Sequence, residues 1–299
     1  MIRFFINARL VHLAIFLVCA KAVSGEALPN LNLIAPDFVV PEVSHDAPAR
    51  DKRVIAVTNG WEKSEVHHTL YLPRDWKADA KLPVIVEYAG NGGFHNALGD
   101  ASEGTVEGCV LGYGMSGGKG FIWVCLPFIE STADGKKQNC AQWWGDVTET
   151  KRYCIATVHD VCARFGGDSS RVVLCGFSRG AIACNYIGLH DDEISKLWCA
   201  FFCHSHYDGV RKWSYADSDA ASARTRLERL RGRPQWISHE ASATKTKEYL
   251  TGTGITAPFT FAPLPFANHS AAWVLRDVPL RKEARAWLAQ VTQTKRAHD

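Results

Sequence analysis

The sequence predicts an α/β domain with a mostly parallel central sheet and helices on both faces. Short continuous apolar runs recur at Leu82–Tyr88, 121–128, 172–175 and 196–203, the pattern of strands covered on both faces. Between two of them, residues 146–165 place Val147, Tyr153, Cys154, Val158, Val161 and Cys162 on one face at helical spacing. Strand and helix alternate through the second half, which implies parallel strands joined by right-handed crossovers. With 299 residues, no internal repeat and no low-complexity tract, a single domain is expected.

The first residues read as a targeting segment. Arg3 and Arg9 precede an apolar stretch at 10–20, and Ala22-Val23-Ser24 offer the small residues a signal peptidase reads. A signal peptide is therefore expected over 1–24, and a secreted or periplasmic location for the mature chain. The apolar stretch is short for a bilayer span, and no later stretch reads as transmembrane, so no membrane part is expected in the mature form. Removing Arg3, Arg9 and Lys21 takes the formal charge from +3 to about zero, which leaves no basic patch for nucleic acid. Nine of the ten cysteines remain after Cys19 is lost. Export permits disulfides; Cys109 and Cys140, in loop-like segments, are the candidates. Cys125, Cys175, Cys184 and Cys199 sit in apolar runs and read as small buried hydrophobes.

Residues 25–50, rich in Pro, Asn and Ala, read as an extended lead-in to a domain at 51–299. Strands are expected at 53–58, ended by Asn59-Gly60, and at 65–72, ended by Pro73; His67 and His68 in the latter are packing or surface residues. Leu82–Tyr88 runs into Ala89-Gly90-Asn91-Gly92-Gly93. From 94 to 120 glycine dominates with no apolar period, and so long a loop is more often functional than idle. A loop at 131–144 carries Trp143 and Trp144. Gly166-Gly167 close the helix at 146–165. The strand at 196–203 leads into His204-Ser205-His206-Tyr207-Asp208. A polar amphipathic helix at 218–231 and a short strand at 234–238 follow, then His239-Glu240 and a helix at 244–250. The last strand starts at 259–261, broken by Pro263 and Pro265, and a closing helix spans 280–291.

Residues 171–185, RVVLCGFSRGAIACN, carry the chemistry. An apolar strand, Gly176-Phe177-Ser178-Arg179-Gly180 and a helix of small residues meet the G-x-S-x-G pattern in the context it requires. The turn is tight enough that Gly176 and Gly180, on either side of Ser178, must be small, which lifts its hydroxyl above the sheet and aims helix N–H groups at it. A hydroxyl is a weak nucleophile until a base removes its proton. His269, after the last strand and before the last helix, suits the Ser…acid…His order of such sheets. Glu240, two residues past the strand before that, is the favoured acid, with Asp208 as the alternative. An oxyanion hole needs two N–H donors: Arg179 supplies one, and Asn91 or Gly92 the other. Trp143 and Trp144 are candidates for a stacking wall. His204-x-His206-x-Asp208 partly matches a metallo-hydrolase motif, but Gly209 stands where a further His belongs and too few ligands converge for a metal site. No cofactor is required by this chemistry.

From Leu82 to Leu189 the chain resembles the α/β-hydrolase family, and most of all its secreted feruloyl esterases and poly(3-hydroxybutyrate) depolymerases. The residues that carry the likeness are Val84 to Gly93, Trp143 near Cys140, and 146–165 leading into DSSRVVLCGFSRG. The resemblance implies an α/β-hydrolase fold, Ser178 as nucleophile and His269 as base. It departs from the family pattern at Ala181, where a second glycine is common, and in lacking an Asp in a GxxD pattern after 234–238, which leaves the acid open. The reading is a secreted serine hydrolase cleaving small or polymeric esters. A peptidase or other acyl hydrolase on the same fold, and a non-catalytic binding protein, are its rivals.

Overall fold

A computed structural model describes residues 27–293. The segment 1–24 read as a signal peptide lies outside the described residues. The chain forms a nine-stranded sheet. Its strands in chain order are β1 (Val43–Ser44), β2 (Arg53–Ala56), β3 (His68–Tyr71), β4 (Leu82–Tyr88), β5 (Ile122–Leu126), β6 (Gly167–Phe177), β7 (Ala200–His204), β8 (Gln235–Glu240) and β9 (Phe259–Leu264). They lie side by side as β1-β2-β3-β5-β4-β6-β7-β8-β9. Within this sheet, among the described residues, β3 alone runs antiparallel to its neighbours. The apolar runs that marked β4 to β7 occupy the middle, where both faces are covered. Pro263 does not end β9, because β9 is an edge strand and its outer side needs no ladder donor.

Among the described residues seven helices flank the sheet: α1 (Leu111–Ser116), α2 (Val147–Phe165), α3 (Arg179–Tyr186), α4 (Asp192–Ser195), α5 (Ala220–Leu227), α6 (Thr244–Thr253) and α7 (Pro279–Val291). The expected apolar face of α2 is buried as read, through Tyr153, Cys154, Val158 and Val161, and Asp146 caps its start. Helices α2, α3, α5 and α6 pack on one core, whereas α1 and α7 pack on the other. The helix expected at 218–231 is shorter, with α5 giving way to a 3-10 turn at Glu228–Leu230.

The glycine-dominated segment holds the first departure from expectation. It contains α1, which has no side-chain cap of its own. Its first N–H groups are satisfied from the sheet instead. The buried Glu87 carboxylate accepts from the Val110, Leu111 and Gly112 N–H groups at 3.1, 3.0 and 2.8 Å and from Trp123 Nε1 at 2.9 Å. A helix of six residues held by a carboxylate on a distant strand leaves no local period to read.

The cysteines hold the second. All nine in the described residues are free thiols. The two disulfide candidates, Cys109 and Cys140, are therefore unbonded; they lie in opposite cores, Cys109 with α1 and α7 and Cys140 with α2 and α3. Cys140 donates its thiol to the Gln142 carbonyl at 2.8 Å.

The lead-in is the third. It is tied down along its length rather than merely extended. Leu31 is fully buried, Arg276 donates to the Ile34 carbonyl at 2.7 Å, and Asp37 pairs with Arg281 at 2.5 Å.

Candidate active site

The turn after β6 is as tight as its spacing implies. Ser178 sits at φ 54° and ψ −113°, a conformation that costs energy for any residue bearing a side chain. A Cβ on Gly180 would stand 2.0 Å from the Tyr88 carbonyl oxygen, and one on Gly176 would stand 2.2 Å from Gly180 backbone. Both positions therefore accept only glycine. The Ser178 N–H donates to the His204 carbonyl at 2.9 Å, which fixes the turn against β7.

Three side chains from separate loops meet above this turn. Ser178 Oγ lies 3.0 Å from His269 Nε2, and His269 Nδ1 lies 2.7 Å from Glu240 Oε1. With Glu240 accepting, Nδ1 donates and Nε2 is left to accept the Ser178 proton. Burial pushes the Glu240 carboxyl up, but the His239 and His269 imidazoles beside it outweigh burial and hold it far below the usual carboxylate range. His239 Nδ1 stands 2.9 Å from Glu240 Oε2. Burial lowers the His239 imidazole, and its hydrogen bonds to Glu240 more than reverse this, leaving it raised.

Asp208, the alternative acid, is placed elsewhere. It is buried and paired with Arg226, whose Nε and Nη2 donate at 2.8 and 3.1 Å. Its chain has already turned away from the site after β7, toward α5. The His204, His206 and Asp208 side chains diverge accordingly. His204 Nε2 donates to the Ser270 carbonyl at 3.0 Å and Nδ1 accepts from Ser238 at 3.0 Å, whereas the His206 ring packs 5.2 Å from the His269 ring. Burial drives both the His204 and His206 imidazoles down to about 4. Among the described residues, one group of three potential metal ligands lies close together, Glu87, Cys109 and Cys125. Its carboxylate is already taken by the three N–H donors at the start of α1 and by Trp123 Nε1.

The second N–H donor narrows to Asn91. The Gly92 N–H is spent on the Ala141 carbonyl at 2.8 Å, so Gly92 is corrected from an oxyanion candidate to a packing residue. A Cβ there would stand 2.6 Å from the Glu103 carbonyl, which is why glycine occupies it. The Asn91 and Arg179 N–H groups have no partner among the described residues, and both residues line the cavity above Ser178. The Arg179 side chain has a separate role. Its buried guanidinium donates to the Trp143, Gly104 and Cys140 carbonyls at 2.7, 3.1 and 3.4 Å, and burial brings it down to about 10. It ties together the loops that frame the cavity.

That cavity, of about 370 Å³, is lined chiefly by Phe94, Trp143, Phe177, Ile182 and Trp213 around Ser178 and His269. Trp143 lines this cavity. Trp144 does not: it is buried, stacked on Tyr186 with ring centroids 4.6 Å apart and edge-on to Phe128. Adjacent residues in an irregular segment point to different sides, and Trp143, at φ 51°, makes that turn.

Several site residues escape a reading of the sequence. Ser205, fully buried at φ 84°, hydrogen-bonds the Glu240 carboxylate and lies 2.8 Å from His269 Nδ1. Asp100 accepts the His269 N–H at 3.0 Å and Asn268 Nδ2 at 2.7 Å. Asn268 in turn accepts the Leu31 N–H at 2.5 Å and donates to Asn30 Oδ1 at 2.9 Å. The short strand Ala101–Ser102 carries no motif that singles out Asp100 just before it. The nearest signal was the glycine-rich length of its loop.

No protein-family model matches the sequence, and neither does any curated protein. Solved structures do. The chain is similar to a thermostable esterase at 16% identity, covering 80% of this chain and 62% of that one, with a TM-score of 0.50. It is similar to a putative dipeptidyl aminopeptidase IV from Bacteroides ovatus at 14% identity, over 80% of this chain and 35% of that one, TM-score 0.53. It is also similar to an S-formylglutathione hydrolase from Agrobacterium tumefaciens at 13% identity, over 81% and 95%, TM-score 0.53. The chain thus spans less than two thirds of the first two. At such identities the likeness is one of fold, and the fold is that of the α/β-hydrolases.

Proposed function

We propose that this chain is a serine-dependent hydrolase of carboxylic esters working through an acyl-enzyme. The observation that carries the reading is the unbroken relay from Ser178 Oγ to His269 Nε2 at 3.0 Å and from His269 Nδ1 to Glu240 at 2.7 Å, at the floor of an apolar cavity. His269 takes the Ser178 proton as the oxygen attacks the ester carbonyl. Glu240, held ionised, stabilises the imidazolium. The Arg179 and Asn91 N–H groups face the carbonyl oxygen as it gains charge, and one such donor is worth about 3 kcal/mol of barrier. His269 then protonates the leaving alkoxide, and a water deprotonated by the same ring releases the acid and restores Ser178.

The aromatic cavity wall suits an ester with an apolar or aromatic arm beside the scissile bond. The test is turnover of p-nitrophenyl acetate. Ser178→Ala is expected to fold and lose it; retained turnover would overturn the assignment. Cleavage of dipeptidyl p-nitroanilides without ester turnover would replace the esterase by a peptidase. Export completes the reading: the signal at 1–24 is removed and the mature chain is secreted or periplasmic. N-terminal sequencing of protein from an exporting host checks this, and an unprocessed Met1 terminus would contradict it.

A further inference from the structure

A second cavity, of about 510 Å³, adjoins the first and shares His206 and Trp213 with it. The proposed chemistry makes no use of this space. Its walls are unlike those around Ser178. Arg211 and Lys245 line it, and neither is in an ion pair or hydrogen bond among the described residues; the Arg211 guanidinium lies over Trp213, 4.2 Å from the ring centre. Helix α6 starts at its edge with no side-chain cap at Ala243. Ser242 satisfies the Thr244 N–H, while the Lys245 and Thr246 N–H groups have no partner.

Thr246 adds a polar group to the same wall. It is 4% exposed and lines this cavity, and its hydroxyl takes no hydrogen bond from the described residues, so it is free to meet a polar group in the cavity. The remaining charged groups on the walls are Glu248, exposed at the rim, and His239, whose charge is matched by Glu240. Two free cations against one carboxylate leave one positive charge, reinforced by the helix terminus.

We infer that this cavity is the subsite for a carboxylate-bearing arm of the substrate, which would lie over Trp213 while the ester carbonyl sits at Ser178. The inference rests on the esterase reading and names its substrate class: esters that join an apolar arm to one ending in a single carboxylate. One negative charge matches the site better than the double charge of a phosphate ester.

The test compares matched esters on the intact chain. On the acyl side the pair is p-nitrophenyl hydrogen glutarate and p-nitrophenyl valerate; on the alcohol side it is para-acetoxybenzoate and para-acetoxybenzamide. In at least one pair the anionic member is expected to have a kcat/KM about tenfold higher at low salt, with the preference shrinking as salt rises. Arg211→Ala and Lys245→Ala should each cut the ratio of anionic to neutral kcat/KM by about fivefold, a figure for partly exposed charges. Thermal melts check that the variants fold. Equal turnover within both pairs, or a preference that survives both substitutions, overturns the subsite. If no ester is turned over, the esterase reading fails instead, and binding decides the subsite separately. Quenching of Trp213 fluorescence by benzoate but not benzamide, lost in Trp213→Phe, would support it; equal response to the two would overturn it.

Discussion

The two halves of the site are built in opposite ways. Ser178 is positioned by its own neighbours in sequence. Gly176 and Gly180 allow the sharp turn, and the strand and helix on either side of it leave one path for the backbone. His269 is positioned by groups from across the chain. Asp100 holds its backbone, Glu240 and Ser205 hold its ring, and Asn268 beside it is locked to Asn30 and Leu31, more than two hundred residues away. Phe94 and Phe177 close on the ring with centroids 4.9 and 4.8 Å away. The serine half depends chiefly on a tight local turn, packed on the Tyr88 carbonyl of β4 and tied to the His204 carbonyl of β7; the histidine half depends on a hydrogen-bonded network that exists only in the folded chain.

The contrast predicts where the site is fragile. The largest effect should follow the ring partner. Glu240→Gln keeps the shape but offers the imidazole a partner that can stabilise the wrong tautomer, and kcat should fall by about a thousandfold or more. Asp208→Asn, at the Arg226 pair, should be felt in stability rather than in kcat. A kcat loss in Asp208→Asn matching that of Glu240→Gln would erase the distinction drawn between the two acids.

A smaller effect should follow loss of the backbone anchor. Asp100→Ala frees the His269 loop without touching any reacting atom, and kcat should fall by about 10- to 100-fold through misplacement of the ring. Thermal stability should drop as well, because Asn268 loses a buried partner. Unchanged kcat in a folded Asp100→Ala protein would mean that the ring is held by its own contacts alone.

The mildest test is acid. His204 and His68 are buried and neutral, driven to about 4 and about 3 by desolvation, against about 6.5 in an unfolded chain. Below pH 6.5 the unfolded chain therefore takes up protons that the folded chain does not. Stability should fall as pH drops from 6.5 toward 4, by about 1.4 kcal/mol per pH unit for each such histidine. His204 hydrogen-bonds the Ser270 carbonyl, next to His269, so the histidine half loosens with it. Urea melts at pH 5 and pH 7 check this; equal midpoints would contradict it.

The same contrast explains how much could be read from the sequence. The central strands announce themselves because strands buried on both faces must be continuously apolar, and β4 matches its expected bounds at Leu82–Tyr88. The turn at Ser178 is legible because its glycines, strand and helix lie within one short stretch, even though Tyr88 and His204 brace it from neighbouring strands. The order of loops after strands was enough to point at His269 and to favour Glu240, since parallel strands deliver their carboxyl ends to one side. Legibility stops where the partner is remote. Nothing near Asp100 or Ser205 marks them as supports. Glu87 reads as one charged residue in an apolar strand, and its role as the cap of α1 appears only when Val110, Leu111 and Gly112 are folded over it. The motif announces the Arg179 N–H alone, whereas its side chain bridges two loops whose positions the sequence does not encode locally. The same reason hides the core packing of Trp144 on Tyr186 and the bond from the Gly92 N–H to Ala141.

The central claim is that His269 activates Ser178 across a 3.0 Å contact. Covalent labelling with a fluorophosphonate probe, located by mass spectrometry of the digested protein, tests it most directly. The adduct is predicted on Ser178, formed rapidly by the intact chain and about a thousandfold more slowly or less by a folded His269→Ala variant. A folded protein that takes no label, or labels Ser178 equally fast without His269, would contradict the account.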